Sequence, residues 1–235
     1  GPAWFLEVLL VFSIVYGLIW LLHKPQARQE RPFPGISAIF LFVFVLTVFT
    51  FAFRIVLPAQ KEVFHLRLGN YADYVAFFAA GIVGYRNKWL DKVTDKIGLQ
   101  WTVITAIAVV GYSAFVISSW TSHESLAYLR GGTSVKTFIT TWIGTYIAVG
   151  TSISSIYLFR KFINIQTALI RAMTAEAYSA FIFHSPVIVA LAYAIHSYTL
   201  QPFLKFTGVF VLSTVLCFLV CRYVIRRIPF SDRVL

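Results

Sequence analysis

Six long apolar runs limit what this chain can fold into. About 20 apolar residues in a helix cover the roughly 30 Å hydrocarbon core of a bilayer, and each run is about that long. The runs are Trp4–Leu22, Ile36–Leu57, Trp101–Trp120, Thr137–Phe159, Ala175–Ile195 and Phe203–Tyr223. A seventh run, Tyr71–Tyr85, is shorter and carries Asp73 near its start. It also contains Gly81 and Gly84, which favour close packing against another helix.

These runs predict an all-α fold, a polytopic membrane helix bundle with about seven transmembrane helices. No connection between the runs is long enough for a soluble domain, so we expect residues 1–235 to form a single transmembrane domain. Composition agrees, since only 12% of the residues are charged, against about 25% in soluble domains. The mean hydropathy is +0.78. The lipid bilayer is therefore the first expected partner.

The formal net charge is +11, which in a soluble domain would suggest a nucleic acid partner. Here the basic residues lie in short loops between the apolar runs, where they indicate topology, and we expect no nucleic acid. In a seven-helix arrangement, the loops after helices one, three, five and seven carry Lys24, Arg28, Arg31, Arg86, Lys88, Lys92, Lys96, Arg160, Lys161, Arg171, Arg222, Arg226, Arg227 and Arg233. The opposite loops carry only Lys61, Arg67, Arg130 and Lys136.

This asymmetry predicts a cytoplasmic C-terminus, because cytoplasmic loops are enriched in lysine and arginine. An arrangement of six helices, without Tyr71–Tyr85, gives a similar asymmetry. Charge therefore predicts the side of the C-terminus but leaves both arrangements open for the first third of the chain.

The chain has two cysteines, Cys217 and Cys221, four residues apart in one predicted helix. A disulfide between neighbours on one helix face would strain the backbone, so we predict two free, buried thiols. No histidine shows metal-ligand spacing with another histidine, a cysteine or a carboxylate, and no metal site is predicted.

His184 is the candidate that stands out, because an ionisable group at membrane depth usually faces a bundle interior or a wet cavity. Pro186 has no N–H, so the carbonyl of Ile182 loses its helical partner and the helix can kink there. One interpretation is that His184 contacts a ligand or supports a catalytic base. The other is a neutral histidine that is hydrogen-bonded to a neighbouring helix.

Three further residues near helix ends are candidates with a plainer alternative. Glu7 lies one turn from Trp4, which is typical of an interfacial aromatic. The Glu7 carboxylate could pair with a cation such as Arg54, line a cavity or reach the interface. Arg54 sits in the last turn of its helix, where the helix dipole favours a cation anyway. Glu176 follows Thr174 at the predicted start of a helix, which is ordinary capping chemistry, so we assign it no catalytic role.

Three stretches resemble one family, in the same order along the chain. Gly1–Leu10 (GPAWFLEVLL) is similar to a Gly-Pro-Leu-Trp-Phe-Leu helix opening. Tyr71–Leu90 is similar to a short helix that ends in Gly-x-x-x-Tyr-Arg-x-x-Trp-Leu. Ala177–Pro186 resembles a late helix with a His-x-Pro motif. The family that carries these motifs is the acyltransferase-3 family of membrane O-acyltransferases.

The resemblance implies an enzyme of the bacterial or archaeal plasma membrane. It would move an acyl group, usually acetyl, from acyl-CoA to a sugar hydroxyl of a glucan or another envelope polysaccharide, with no bound cofactor. Family members have about ten helices, and their catalytic histidine, with an arginine upstream of it, lies in the first. No counterpart of that helix is found here, and the chain begins with Gly1 rather than methionine. We therefore expect the C-terminal part of such an enzyme, without the catalytic base.

Site residues follow as predictions from this resemblance and from the chemistry above. His184 matches the His-x-Pro motif and is the candidate catalytic residue. Trp4, Glu7 and Arg54 are predicted to contact the saccharide. The phosphates of acyl-CoA are predicted to meet four basic loop residues, although topology alone also makes these loops basic: Arg86, Lys88, Arg160 and Lys161.

Two other functions remain open at this level. Polar residues at membrane depth and a proline-containing helix also suit a transporter or flippase-like module, although no inverted repeat is visible. A truncated, non-catalytic family member is the third possibility.

Overall fold

The computed structural model describes residues 3–22, 30–59, 62–63, 66–122, 125–198 and 201–224. Several residues named above lie outside the described residues: Gly1, Pro2, Lys24, Arg28, Lys61, Arg226, Arg227 and Arg233.

Helices dominate the described residues. They are α1 (Ala3–Leu22), α2 (Ile36–Val56), α3 (Tyr71–Arg86), α4 (Trp89–Lys92), α5 (Asp95–Thr121), α6 (Val135–Phe162), α7 (Ala168–Ala194) and α8 (Pro202–Tyr223). Two-residue strands β1 (Glu62–Val63) and β2 (Leu66–Arg67) form an antiparallel pair between α2 and α3. Among the described helices, six are long and apolar enough to cross a membrane, namely α1, α2, α5, α6, α7 and α8. The chain is an integral membrane protein, and the predicted polytopic helical fold is confirmed.

Three helices begin earlier than their apolar runs. A side-chain oxygen accepts a hydrogen bond from the first turn at Thr94 before α5, Ser134 before α6 and Thr167 before α7. Such caps satisfy backbone N–H groups that have no partner inside the helix. The helices therefore start at polar capping residues in the loops, and not where the apolar composition starts.

The described chain divides into two compact units. The first unit comprises residues 1–10 and 165–235, and the second comprises residues 11–164. Each is described by itself.

The core of the second unit lies where α2, α5 and α6 meet. Ile39, Val43, Trp101, Val149 and Ile153 pack together there. The ring of Tyr146 stacks on Trp101 with the centroids 5.2 Å apart. Since Ile39 and Trp101 both lie near the starts of their helices, α2 and α5 begin at the same end of the unit.

The far ends of α2 and α5 also lie together. The N–H of Ala59, just after α2, donates to the carbonyl of Arg130, which follows α5, at 2.7 Å. The helices α2 and α5 thus run in the same direction, and the chain must return between them.

The short helix α3 makes this return. Its first turn meets the end of α2, where Thr50 bonds to Asp73. Beyond its last turn, Asn87 accepts a hydrogen bond from the backbone N–H of Arg31, which precedes α2. The 16 residues of α3 therefore lie along nearly all of α2, although at about 1.5 Å per residue they cover only about 24 Å. Of the two arrangements left open by charge, this geometry agrees with the one in which Tyr71–Tyr85 crosses. Because α3 is not among the six described helices long and apolar enough to span a membrane, the count of seven stays a prediction.

The first unit is built on an antiparallel pair of helices, α7 and α8. Cys217 and Cys221 are buried between them, and the Sγ of Cys217 lies 3.4 Å from the carbonyl oxygen of Ala180. Both thiols are free, as predicted. At the start of α1, Phe5 packs edge-on against Phe181 with the ring centroids 5.7 Å apart.

Two glycines allow α5 and α6 to pack closely. A Cβ at Gly98 of α5 would overlap the ring of Tyr157, and a Cβ at Gly150 of α6 would overlap the side chain of Thr105. By contrast, a Cβ at Gly111 of α5 would meet nothing within 4 Å.

We therefore predict that Gly98→Ala lowers the thermal unfolding temperature of the purified protein in detergent. Forcing an atom into a packed interface costs about 1–3 kcal/mol. Gly111→Ala is the matched control on the same helix and should leave the unfolding temperature unchanged or slightly raised, because alanine favours the helix. Equal shifts in the two variants would contradict the close approach of α5 and α6.

Candidate functional site

A polar cluster joins the end of α2 to the start of α3. We call Thr50, Arg54, Asn70 and Asp73 the Arg54 cluster. The Thr50 hydroxyl donates to Asp73 Oδ1 at 2.7 Å, and Arg54 Nη2 donates to Asn70 Oδ1 at 3.0 Å. Arg54 Nη2 also lies 3.9 Å from Asp73 Oδ2. A cation, a carboxylate, an amide and a hydroxyl thus meet within one helical hairpin.

The positions follow from helix geometry. Thr50 and Arg54 are four residues apart on α2 and share a face, so both reach the same neighbour. Arg54 lies in the last turn of α2 and Asp73 in the first turn of α3, where the helix dipoles favour a cation and an anion respectively. Their side chains are only 20% and 23% exposed, and partly buried charges need such pairing.

Further polar groups surround the Arg54 cluster. The chain after α5 passes closely, because a Cβ at Gly131 would lie 2.6 Å from the backbone oxygen of Arg54. Tyr128 is buried, and neither its hydroxyl nor Arg54 Nε has a hydrogen-bond partner among the described residues. Tyr112 lies within electrostatic range of both residues. The region therefore keeps buried hydrogen-bonding capacity that the described residues do not use.

The opposite end of the second unit holds the predicted acyl-CoA residues, and each has an intramolecular contact. We call this the basic end. Arg160 donates to the carbonyls of Leu90, at 2.9 Å, and Val93. Lys161 bonds to Asp95 at 3.1 Å, and Lys161 also reaches the hydroxyl of Tyr157. These two cations hold the end of α6 against the connection between α3 and α5.

Lys88 and Arg86 are more accessible. Lys88 Nζ lies 2.6 Å from Glu30 Oε1, yet the Lys88 side chain remains 66% exposed. Hydrogen bonds from Lys88 and then Lys92 lower the pKa of Glu30 to about 2, and the Glu30 carboxylate in turn raises the pKa of Lys88. Arg86 donates to the hydroxyl of Tyr16 at 2.6 Å. The donor role of these four residues stays a prediction.

In the first unit, His184 lies past the middle of the 27-residue helix α7. Its Nδ1 is 2.6 Å from the carbonyl oxygen of Phe181, on its own helix. A carbonyl oxygen only accepts hydrogen bonds, so Nδ1 carries the proton. In the neutral ring Nε2 then keeps its lone pair. The hydrogen-bond partner of His184 is therefore a carbonyl of its own helix and not, as one interpretation expected, a group on a neighbouring helix. The helix α7 continues through Pro186 without interruption.

Two of the three predicted saccharide contacts, Trp4 and Glu7, also belong to the first unit. Trp4 is half-buried and lies edge-on to Phe5, with the ring centroids 6.1 Å apart. Glu7 is exposed. Arg54 belongs to the second unit, where its guanidinium is bound by Asn70 and lies beside Asp73, two residues that were not predicted to belong to a site.

The structure contradicts the prediction that Glu176 lies at the start of a helix. The capping assignment is wrong, because α7 begins after Thr167 and Glu176 lies more than two turns inside the helix. Its side chain is buried, with the residue only 3% exposed. The error arose because Arg171 made the preceding residues read as a loop. A buried carboxylate in a membrane helix is a functional candidate.

Comparison with known proteins identifies the family to which this chain belongs. A family model described as an acyltransferase domain matches residues 1–222, nearly the whole chain. The chain belongs to the acyltransferase-3 family. No curated protein and no solved structure matches it. The resemblance seen in the sequence is thus confirmed, and with it an acyltransferase activity for the family of this membrane protein.

The Arg54 cluster predicts unequal roles for two buried threonines one turn apart on α2. Thr50→Val removes the hydrogen bond to Asp73 on another helix and should destabilise the protein by about 0.6–2 kcal/mol. Thr47 donates only to the carbonyl of Val43 on its own helix, so Thr47→Val is the matched control and should have a smaller effect. Thermal unfolding in nanodiscs measures both, and an equal or larger loss in Thr47→Val would contradict the importance of the cluster.

Proposed function

We propose that this acyltransferase moves an acyl group, in the simplest case acetyl, from cytoplasmic acyl-CoA to a sugar hydroxyl of an envelope polysaccharide. The observation that carries the proposal is the separation of polar groups in the second unit. Accessible cations lie at one end, and a cluster with unused hydrogen-bonding capacity lies at the other. The cations suit a polyanionic donor such as acyl-CoA, and the hydrogen-bonding groups suit an acceptor with many hydroxyl groups.

At the basic end, Lys88 is the cation best placed to meet the phosphates of acyl-CoA, because most of its side chain is open to solvent. Glu30 opposes this role, since its carboxylate neutralises part of the local charge and repels phosphate. The basic end would face the cytoplasm, as loops rich in lysine and arginine do, and the C-terminus with it.

At the other end, the Arg54 cluster suits a saccharide. Hydroxyl groups both donate and accept, and the cluster offers a carboxylate oxygen that accepts and guanidinium nitrogens that donate. Within the second unit, Arg54 and Asp73 would bind hydroxyl groups of the polysaccharide, and they are not assigned a step in the chemistry.

His184 is the candidate general base among the described residues, which departs from the expectation drawn from the resemblance, in which the base lies in a helix that has no counterpart here. In the proposed step its Nε2 takes the proton of the sugar hydroxyl while the hydroxyl oxygen attacks the thioester carbonyl. The carbon–sulfur bond then breaks, and the departing thiolate recovers the proton from the imidazolium. The hydrogen bond from Nδ1–H to Phe181 supports this role because, in the neutral ring, it favours the tautomer whose lone pair is on Nε2.

We predict that His184→Ala reduces transfer by about 100-fold or more, the usual contribution of a general base. The measurement is transfer of label from acetyl-CoA to envelope saccharide in membranes from cells that produce the protein from its natural gene. His196→Ala is the matched control, because His196 lies after the end of α7 and stacks on Tyr193.

The possible outcomes distinguish a wrong assignment of the base from a wrong assignment of the reaction. Full transfer by His184→Ala, when deletion of the gene abolishes transfer, would refute the base assignment alone. Unchanged labelling of every envelope fraction after gene deletion would refute the proposed reaction and favour the transporter or non-catalytic alternatives.

The donor assignment predicts opposite effects for two neighbours in one ion pair. Lys88→Gln should raise the KM for acyl-CoA about two- to five-fold, and Glu30→Gln should lower it by a similar factor, since exposed charge pairs have modest effects. Because the pKa of Glu30 is about 2, its carboxylate stays ionised down to mildly acidic pH, and the effect of Glu30→Gln should not change between neutral and mildly acidic pH. Arg130→Gln, at the other end of the unit, is the control. Changes of the same sign in both variants would exclude the electrostatic explanation.

A further inference from the structure

An apolar groove runs along α3 within the second unit. It has a volume of about 530 Å³ and is lined by Tyr16 of α1 and by Phe77, Phe78, Gly81, Ile82, Tyr85 and Arg86 of α3. This volume lies in the range of ligand-binding sites. Neither the Arg54 cluster nor His184 lines the groove.

The floor of the groove is open because of a glycine. A Cβ at Gly81 would meet nothing within 4 Å, so the space beside α3 is not filled by a neighbouring side chain. Phe78 packs against Phe12 of α1 at 5.3 Å between ring centroids and forms the far wall. The groove is therefore a gap between α3 and α1, which meet there through aromatic side chains.

The length of the groove and the charge at its end indicate which kind of ligand it can hold. From Phe77 to Arg86 the helix rises by about 14 Å, which is close to half of the roughly 30 Å hydrocarbon core and so to the depth of one leaflet. The end of the groove carries two tyrosines, which are typical of the membrane interface. Arg86 closes this end, and Lys88 follows at the same end of the unit.

Arg86 is suited to bind an anionic group at this position. Its guanidinium donates to the hydroxyl of Tyr16 and lies 5.6 Å from the centroid of the Tyr16 ring, which holds it over the groove. A guanidinium has five N–H donors, and the Tyr16 contact uses one nitrogen, so N–H groups remain to pair with phosphate oxygens.

We propose that this groove binds one acyl chain of an anionic phospholipid, with the lipid phosphate on Arg86. Basic residues between transmembrane helices recognise anionic headgroups in this way. The proposal does not depend on the proposed reaction. Arg86 is also one of the four residues predicted to meet acyl-CoA, so the two roles compete, and the competition by palmitoyl-CoA described below separates them.

The test uses the whole protein in nanodiscs that contain phosphatidylcholine and a trace of phosphatidylglycerol with a photoactivatable diazirine in one acyl chain. We expect the probe to label peptides from residues 11–22 and 71–86. A phosphatidylcholine probe should label them about five-fold less, the factor expected for one basic residue at an anionic surface. Equal labelling by the two probes would overturn the headgroup assignment.

Variants separate the groove from its cation. Gly81→Phe fills the groove and should abolish labelling, whereas Gly111→Phe places the same ring on an open face of α5 and should not change it. Arg86→Gln should lower phosphatidylglycerol labelling about five-fold, and it tests the site even if Gly81→Phe fails to fold. Tyr16→Phe removes the hydroxyl but keeps the Arg86 charge and the ring against which the guanidinium lies, so it should lose less labelling than Arg86→Gln.

Three further results would overturn the proposal. One is equal labelling in Gly81→Phe and Gly111→Phe. The second is an equal loss in Tyr16→Phe and Arg86→Gln, which would make the Arg86–Tyr16 contact rather than the charge responsible. The third is displacement of the probe by palmitoyl-CoA but not by unlabelled phosphatidylglycerol, which would assign the groove to the acyl chain of the donor.

Discussion

A polar group inside a bilayer must find its partner within the protein, because hydrocarbon offers none. Helices satisfy the backbone, and many side chains use the same solution; the Thr47 hydroxyl, for example, bonds to the carbonyl of Val43 on its own helix. Thr50, one turn later, reaches Asp73 on α3 instead. Contacts of this second kind determine which helices lie together, and they bring Arg54 and Asp73 into one place.

The same requirement explains which parts of the fold could be predicted. Apolar length is itself the condition for crossing a membrane, so the six long helices follow directly from composition. The helix starts do not, because hydroxyls such as those of Thr94 and Thr167 determine them within polar segments. The wrong assignment of Glu176 has this origin. The apolar run begins at Ala175, so Glu176 was predicted to cap the helix, whereas α7 begins at Ala168 and Glu176 is buried inside it.

The candidate site was harder to predict than the helices. The sequence places Arg54 and Asp73 near the ends of predicted helices, but whether they meet depends on whether α3 returns along α2. Charge patterning left that open, because arrangements with and without α3 give similar asymmetry between the loops. The answer lies in contacts between distant parts of the chain, such as Ala59 with Arg130, which no local pattern contains.

The basic end shows why a count of cations overestimates a binding surface. The charges of Lys88 and Lys161 are offset by Glu30 and Asp95. Arg160 instead bonds to two carbonyl oxygens, so each of its terminal nitrogens already donates once, while its charge is not neutralised. Charge that persists in this way attracts anions over several ångströms, whereas binding a phosphate also needs free N–H groups. The residues that attract an anionic partner to this end are therefore not the same set as those able to hold it.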